Sequence, residues 1–236
     1  HGHWLLEVMP RVLAALRLLK KDAIFVVGSL TPKYHIEMLE MLGVASDKIR
    51  YLAEDEAIYC DELWLPSVAH ANQTWIHPYA NETYDRLIEQ VGGNPSRDAI
   101  ETGRIFVTRG SRSNDPRPLV NVSQIEDIAK SHGYLIVDPG AASWQDQIRL
   151  FASASKVVGL CGSGLHNTVF TKRNAHVCVL QPNQNFNYLQ TSIAAIRGHA
   201  ISYLIGDCYS GFDRSTWDAS YAIDPKLFNL MLKTLL

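Results

Sequence analysis

Three arginines, Arg109, Arg112 and Arg117, fall within nine residues of the stretch Phe106-Val107-Thr108-Arg109-Gly110-Ser111-Arg112, which continues through Asp115-Pro116-Arg117 to Asn121. A guanidinium grips phosphate oxygens in a planar fork and keeps its charge at any physiological pH. Behind an apolar strand, such a cluster suits a diphosphate; it equally suits a solvated loop paired to Asp115. A second candidate is Gly159-Leu160-Cys161-Gly162-Ser163-Gly164-Leu165-His166-Asn167. Glycines let a backbone approach a ligand closely, and the N–H groups at a helix start attract anions. The run is not G-x-S-x-G. Nor is it a dinucleotide fingerprint, because no acidic residue closes the next strand at Leu180-Gln181-Pro182. A tight strand-to-helix turn is the plainer reading. The third candidate is His3, Glu7 and Arg11, spaced as one polar stripe of a helix. The stripe could offer a base and a cation to a cleft, or be a solvated face with a Glu–Arg pair. Alternatively, Pro10 starts the helix and His3 to Met9 is an irregular lead-in. His1 and His3 have no carboxylate at metal-ligand spacing, so no metal site is expected.

These residues need elements to hold them. Val8, Val12, Leu16 and Leu19 recur at helical spacing, and Pro32 to Leu42 and Tyr79 to Val91 read as further helices. Strands are expected at Ala23–Val27, Ile49–Leu52 and Ala57–Leu65. Gly92-Gly93-Asn94-Pro95-Ser96 is the best linker. Beyond it, strands at Arg104–Thr108, Tyr134–Val137, Lys156–Leu160, His176–Leu180 and Ile201–Ile205 alternate with helices. Ser123-x-x-Glu126 reads as a capping box, and Ser143 opens a helix with Asp146 three residues on. Helices are also expected at 185–196 and 225–236. Such alternation predicts an α/β protein built on parallel sheets, in two units divided near residues 92–100. Ligands of such sheets bind beyond the carboxyl ends of strands, after Thr108, Val137, Leu160 and Leu180.

With a net charge of -2, 47% hydrophobic residues and 19% charged, the 236 residues suit a globular chain without a basic field. Nucleic acid is therefore not an expected partner, and an acidic ligand has to be held by local arginines. Cys60, Cys161, Cys178 and Cys208 are widely spaced without a CxxC and read as free thiols. No apolar run approaches the roughly 20 residues that span a bilayer. The chain starts at His1 without Met and reads as a fragment or excised domain.

Taken in order, the three motifs resemble glycosyltransferase family 61, which includes bacterial capsular-polysaccharide enzymes, plant xylan xylosyl- and arabinosyltransferases, and animal O-linked N-acetylglucosamine transferases. The resemblance runs over roughly residues 3–205. It is carried by His3-Trp4 through Glu7 to Pro10-Arg11, by Arg109 with Arg117 and Asn121, and by Trp144 to Phe151. It continues through Val158-Gly159 and Gly162-Ser163-Gly164-Leu165 to Asn167 and Phe170, and through Val179 to Pro182. Cys161 stands where the family often has His, His166 where a small or hydroxyl residue is common, and a Glu frequent near Gln181 is absent.

The resemblance implies two Rossmann-like lobes facing across a cleft (GT-B type), with the N-terminal lobe open to truncation. Residues 1–95 would form the acceptor-side lobe. Residues 96–236 would bind the donor, with the last helix free to pack back on the first lobe. It further implies an inverting hexosyl- or pentosyltransferase that moves a sugar from a nucleoside-diphosphate sugar to a glycan or protein-linked hydroxyl, without metal or other cofactor. Glu7 would be the base, with His3 as second choice. Arg109, Arg117, Asn121, Gly162, Ser163, Gly164, His166 and Asn167 would hold the donor. The alternatives are a non-catalytic nucleotide-sugar- or glycan-binding module, and another nucleotide-dependent enzyme such as an epimerase or dehydrogenase. The expected location is cytoplasmic or peripheral at the inner membrane if bacterial, and the Golgi or ER lumen if eukaryotic.

Overall fold

A computed structural model describes residues 2–19, 22–71, 75–92, 103–109, 119–184, 186–208 and 220–234. Arg112, Arg117, His1 and the linker beyond Gly92 lie outside the described residues.

The chain opens with a π turn at Trp4–Val8 that runs directly into helix α1 (Met9–Leu18). The Met9 N–H reaches back five residues to the Trp4 carbonyl. Pro10 explains the widened turn: it has no N–H for the preceding turn, and its ring presses on the carbonyl four residues back. The lead-in expected before Pro10 is thus helical, but its register is shifted. Strand β1 (Phe25–Gly28), helix α2 (Lys33–Leu42) and strand β2 (Ile49–Leu52) follow, with β1 and β2 paired in parallel. The strand expected at Ala57–Leu65 is not formed. That stretch runs without strand pairing, with Tyr59 92% exposed and Leu63, Trp64 and Leu65 also exposed. A short antiparallel pair, β3 (His70–Ala71) and β4 (Trp75–Ile76), precedes helix α3 (Ala80–Val91).

The remainder is built on one six-stranded sheet. In chain order its elements are β5 (Arg104–Val107), α4 (Val122–Ser131), β6 (Leu135–Val137), α5 (Trp144–Ser153), β7 (Lys156–Leu160), β8 (His176–Pro182), α6 (Leu189–Arg197), β9 (Ala200–Cys208), β10 (Tyr221–Ala222) and α7 (Pro225–Thr234). A 3-10 helix at Ser163–Phe170 links β7 to β8. The spatial order is β10-β9-β8-β7-β5-β6, with β10 antiparallel and the other pairings parallel. The parallel part is therefore the 2-1-3-4-5 order of a doubly wound sheet, whose direction reverses between β5 and β7.

Successive strand residues face opposite sides of the sheet. Ile105, Val107, Val157, Val177 and Val179 join one core cluster, while Phe106, Val158, Cys178 and Leu180 join another. The first cluster is continuous with Leu5, Leu6, Met9 and Leu13 of the N-terminal helix and with Met38, Leu39, Tyr84 and Leu87 of α2 and α3. The N-terminal segments thus pack directly against the helices of that face. The second cluster is closed by α4 and α7 through Ile125, Ala129, Phe228 and Leu232. The closing helix accordingly covers the sheet's own outer face and puts its buried side chains there, where the family resemblance allowed a return to the first lobe. Its apolar residues meet Phe106 and α4, and His132 bonds Asn229 at 2.7 Å.

Candidate functional site

The sheet reverses direction between β5 and β7, so the loops after these strands part and leave a crevice. Arg109 follows β5 and Gly162 follows β7 at this point. The Arg109 guanidinium donates from Nη2 to the Cys161 carbonyl and lies over Gly162. Gly162 has φ 149°, a conformation that suits glycine, and a Cβ there would sit 2.5 Å from Arg109 Nη2. Gly159 is just as confined, its missing side chain leaving room for Leu165 and Val107 at 2.8 Å. Gly164 has ordinary space, with Pro139 at 3.5 Å. The glycines of this turn therefore do different things: Gly162 seats the arginine, and Gly159 lets the 3-10 helix close onto the sheet.

A cleft of about 600 Å³ opens over this point. Its floor is Thr108, Arg109, Asp138, Pro139, Ser163 and Gly164; Ser143, Trp144 and Gln147 of α5 flank it, and Tyr34 and Glu37 of α2 form the opposite wall. The two walls are joined, because Trp144 Nε1 donates to Glu37 Oε2 at 3.0 Å. Ser143 caps α5 as expected, its hydroxyl accepting from the Asp146 N–H. The box expected at Ser123 and Glu126 does not form. Helix α4 starts two residues earlier, at Val122 with Asn121 before it, and the Glu126 carboxylate accepts from the Thr108 hydroxyl at 2.7 Å, bracing the residue beside Arg109.

The second constellation lies at the chain start. Glu7 is hydrogen-bonded to His3 Nδ1 at 2.5 Å, and His70 Nδ1 stands 3.6 Å from the same carboxylate oxygen. His3 is largely exposed, whereas His70 is buried. Burial holds the His70 imidazole below its usual pKa, partly offset by Glu7. Arg11 does not complete the stripe: the π turn rotates it away, and its Nε donates to the Pro66 carbonyl at 2.8 Å. The Glu–Arg pair is replaced by a His–Glu–His arrangement. Gly2, one residue before His3, lies against the glycine turn; a Cβ on it would meet His166 Nδ1 at 2.4 Å and the Ser163 side chain at 3.4 Å. Ser163 lines the cleft, so the two constellations are contiguous. Burial, reinforced by His3 and His70, lowers the His166 pKa to about 4 and leaves the ring neutral at pH 7.

Of the residues expected to hold a donor, Arg109, Ser163 and Gly164 line the cleft and Gly162 lies beneath Arg109. His166 turns instead toward Gly2 and the N-terminal helix. Asn167 is buried; its amide donates to Gln147 Oε1 at 2.9 Å and to the Gly164 carbonyl at 3.1 Å, fastening the turn to α5. Asn121 bonds the backbone of the C-terminal segment. It makes no side-chain cap, and both ends of its amide are engaged by the Ile223 backbone at 2.8 and 3.2 Å. It pins the C-terminal segment. Sequence reasoning missed Tyr34, Glu37, Asp138 and His70. Only Asp138 had a signal, a carboxylate directly after a strand.

Among the described residues no group of three His, Cys, Asp or Glu side chains is placed to hold a metal ion, and no helix is long and apolar enough to cross a membrane. A comparison with curated proteins gives no match. The sequence profile of Glycosyltransferase 61 matches residues 1–178, a span that takes in the His3–Glu7 helix, the Arg109 strand end and the whole glycine turn. The chain belongs to the glycosyltransferase 61 family, and its class of activity is glycosyl transfer.

Proposed function

We propose that the chain is an inverting glycosyltransferase whose donor is a nucleoside-diphosphate sugar. The observation that carries this reading is the seating of Arg109 on Gly162 where the sheet reverses, under an open cleft. A fixed guanidinium beside a glycine turn is suited to a diphosphate leaving group, because preorganised positive charge stabilises the oxygens that gain charge as the bond to the sugar breaks. Arg117 would add a second cation. Metal is not required for this chemistry, and turnover is expected to survive EDTA; loss of activity with rescue by Mn²⁺ would overturn that part.

Glu7 is the base. Its carboxylate takes the proton of an acceptor hydroxyl as that oxygen bonds the anomeric carbon, and the nucleoside diphosphate departs from the opposite face. His3 bonds the carboxylate, and His70 stands 3.6 Å from the same oxygen. The acceptor is a glycan or a protein-linked hydroxyl, approached from the N-terminal helix. On this reading residues 1–95 serve as the acceptor-side lobe and 96–236 as the donor-binding lobe, in the GT-B manner. A thermal-shift panel of nucleotides and nucleotide sugars tests the reading. A ligand at 100 times its Kd stabilises by about 2.7 kcal/mol, and a flat response across the panel would sink it.

A further inference from the structure

Glu7 and the donor cleft come from distant parts of the chain, so their spacing is set by contacts between segments. Leu5, Leu6 and Met9 share a core with Leu165 and Val169, which brings the N-terminal helix beside the 3-10 helix. Apolar packing is non-directional and leaves the depth of approach open. The approach is limited at Gly2 and His166. Gly2 is helical and its backbone is not left-handed. Its conformation therefore suits any residue, and glycine is a poor helix former. What demands glycine is space: a Cβ on Gly2 would stand 2.4 Å from His166 Nδ1 and 2.8 Å from His166 Cε1. The ring fills the place that a side chain would take. Its Nδ1 is buried without a hydrogen-bond partner, an unfavourable state for a polar atom, so hydrogen bonding by that nitrogen does not hold the ring there.

We infer that His166 is a positioning residue: wedged against Gly2, its ring sets how far the Glu7 carboxylate stands from a sugar held at the glycine turn. The inference rests on the reading of Glu7 as the base. The turn that carries the ring is anchored. Leu165 and Asn167, on either side of His166, are fully buried, and the Asn167 amide is fastened to Gln147 and to the Gly164 carbonyl. Ser163 and Gly164 of the same turn line the cleft. On the other side of the contact, His3 follows Gly2 directly and bonds Glu7 at 2.5 Å. A line of contact thus runs from the donor cleft through His166 and Gly2 to the carboxylate, and His166 acts along it without a proton transfer of its own. Ordinary contacts between carbon atoms begin at about 3.5 Å, so Gly2→Ala has to open this one by about 1 Å. The anchored turn resists, and the start of the helix moves. A misplacement of about 1 Å can cost about 10²-fold in rate.

The test is release of nucleoside diphosphate by the whole chain from UDP-xylose, UDP-N-acetylglucosamine, GDP-mannose and ADP-glucose, with water or xylohexaose as acceptor. Donor affinity by calorimetry, circular dichroism and the urea midpoint accompany it. With the donor that wild type uses, Gly2→Ala is expected to lower kcat by about 10²-fold and to keep donor Kd within a few-fold. His166→Ala pushes on nothing and should cost less, about tenfold. The double variant Gly2→Ala/His166→Ala decides the matter. Removing the ring makes room for the methyl group, so this variant should turn over faster than Gly2→Ala alone although it carries one more change. A contact that served only the fold would restore the urea midpoint in the double variant and leave kcat unmoved throughout. Near-normal kcat in Gly2→Ala, or a double variant no faster than Gly2→Ala, overturns the role of His166 and leaves the transferase reading standing. Should Gly2→Ala not fold, His166→Ala carries the test, and a kcat equal to wild type overturns the role. If wild type releases nucleoside diphosphate from none of the four donors, or Glu7→Gln turns over normally, the reading beneath fails and the inference falls with it.

Discussion

The Arg109 guanidinium occupies the space that a side chain at Gly162 would need, 2.5 Å from where its Cβ would stand. Gly162→Ala must therefore move the arginine, whereas Gly164→Ala, with Pro139 no nearer than 3.5 Å, need not move anything. Nucleotide affinity in Gly162→Ala is expected to fall about as far as in Arg109→Ala. That loss is about 1.5–3 kcal/mol, or roughly 10–150-fold. The double variant should be no worse than either single one. Gly164→Ala should stay within a few-fold of wild type. Titration calorimetry with circular dichroism on each variant decides it; additive losses would mean that the two residues act separately.

Turnover depends on Glu7. A general base contributes about 10²–10⁴-fold, so Glu7→Gln should lower kcat by that much and leave donor affinity within a few-fold. His70→Ala removes a buried neighbour of the same carboxylate and should cost less. His3→Ala should also cost less, because His3 only orients the base. A collapse in His3→Ala with Glu7→Gln near normal would transfer the role to the histidine.

Asn121 is predicted to matter for stability and not for the donor. Its amide holds the Ile223 backbone on both sides, a link between residues 102 apart in sequence. Asn121→Ala should lower unfolding stability by about 1–3 kcal/mol, the cost of stranded polar groups, as read from the urea midpoint. Nucleotide affinity should be unchanged; a tenfold loss of affinity with normal stability would return Asn121 to the donor site.

Acid should destabilise the fold through its histidines. His166, His35 and His199 each have a folded pKa lowered by burial to about 4, against 6.5 for a free ring. Between those values the unfolded chain binds more protons than the native one. Stability is then full above about pH 6.5 and is lost as pH falls toward 4. In His166→Gln the slope of stability against pH over this window should be shallower. An identical slope in variant and wild type would show that His166 is not among the groups responsible.

The central sheet was legible because buried parallel strands read as unbroken apolar runs; Lys156–Leu160 is a strand in the structure with the bounds its sequence suggested. The same signal misled at Ala57–Leu65. Apolar residues there look like a strand, yet pairing needs a neighbour that a local pattern cannot supply, and the stretch lies exposed. The strand end at Arg109 and the glycine turn were visible as local motifs. Their contact was not, because Arg109 and Cys161 are 52 residues apart in sequence. His70 had no motif at all. It reaches Glu7 only because a two-residue strand pair, too short to leave a periodic signal, carries it there. The polar stripe was legible in composition but wrong in phase, since one widened turn shifts everything after it.

That widened turn has a consequence for chain length. A π turn holds one residue more than the α-helix it interrupts, so Trp4–Val8 is equivalent to a single-residue insertion upstream of Pro10. Deleting one residue there would swing Gly2 and His3 by about 100° relative to α1. Gly2 would leave the glycine turn and His3 would leave Glu7. The widened turn thus trades a regular helix for Gly2 against the glycine turn and His3 on Glu7.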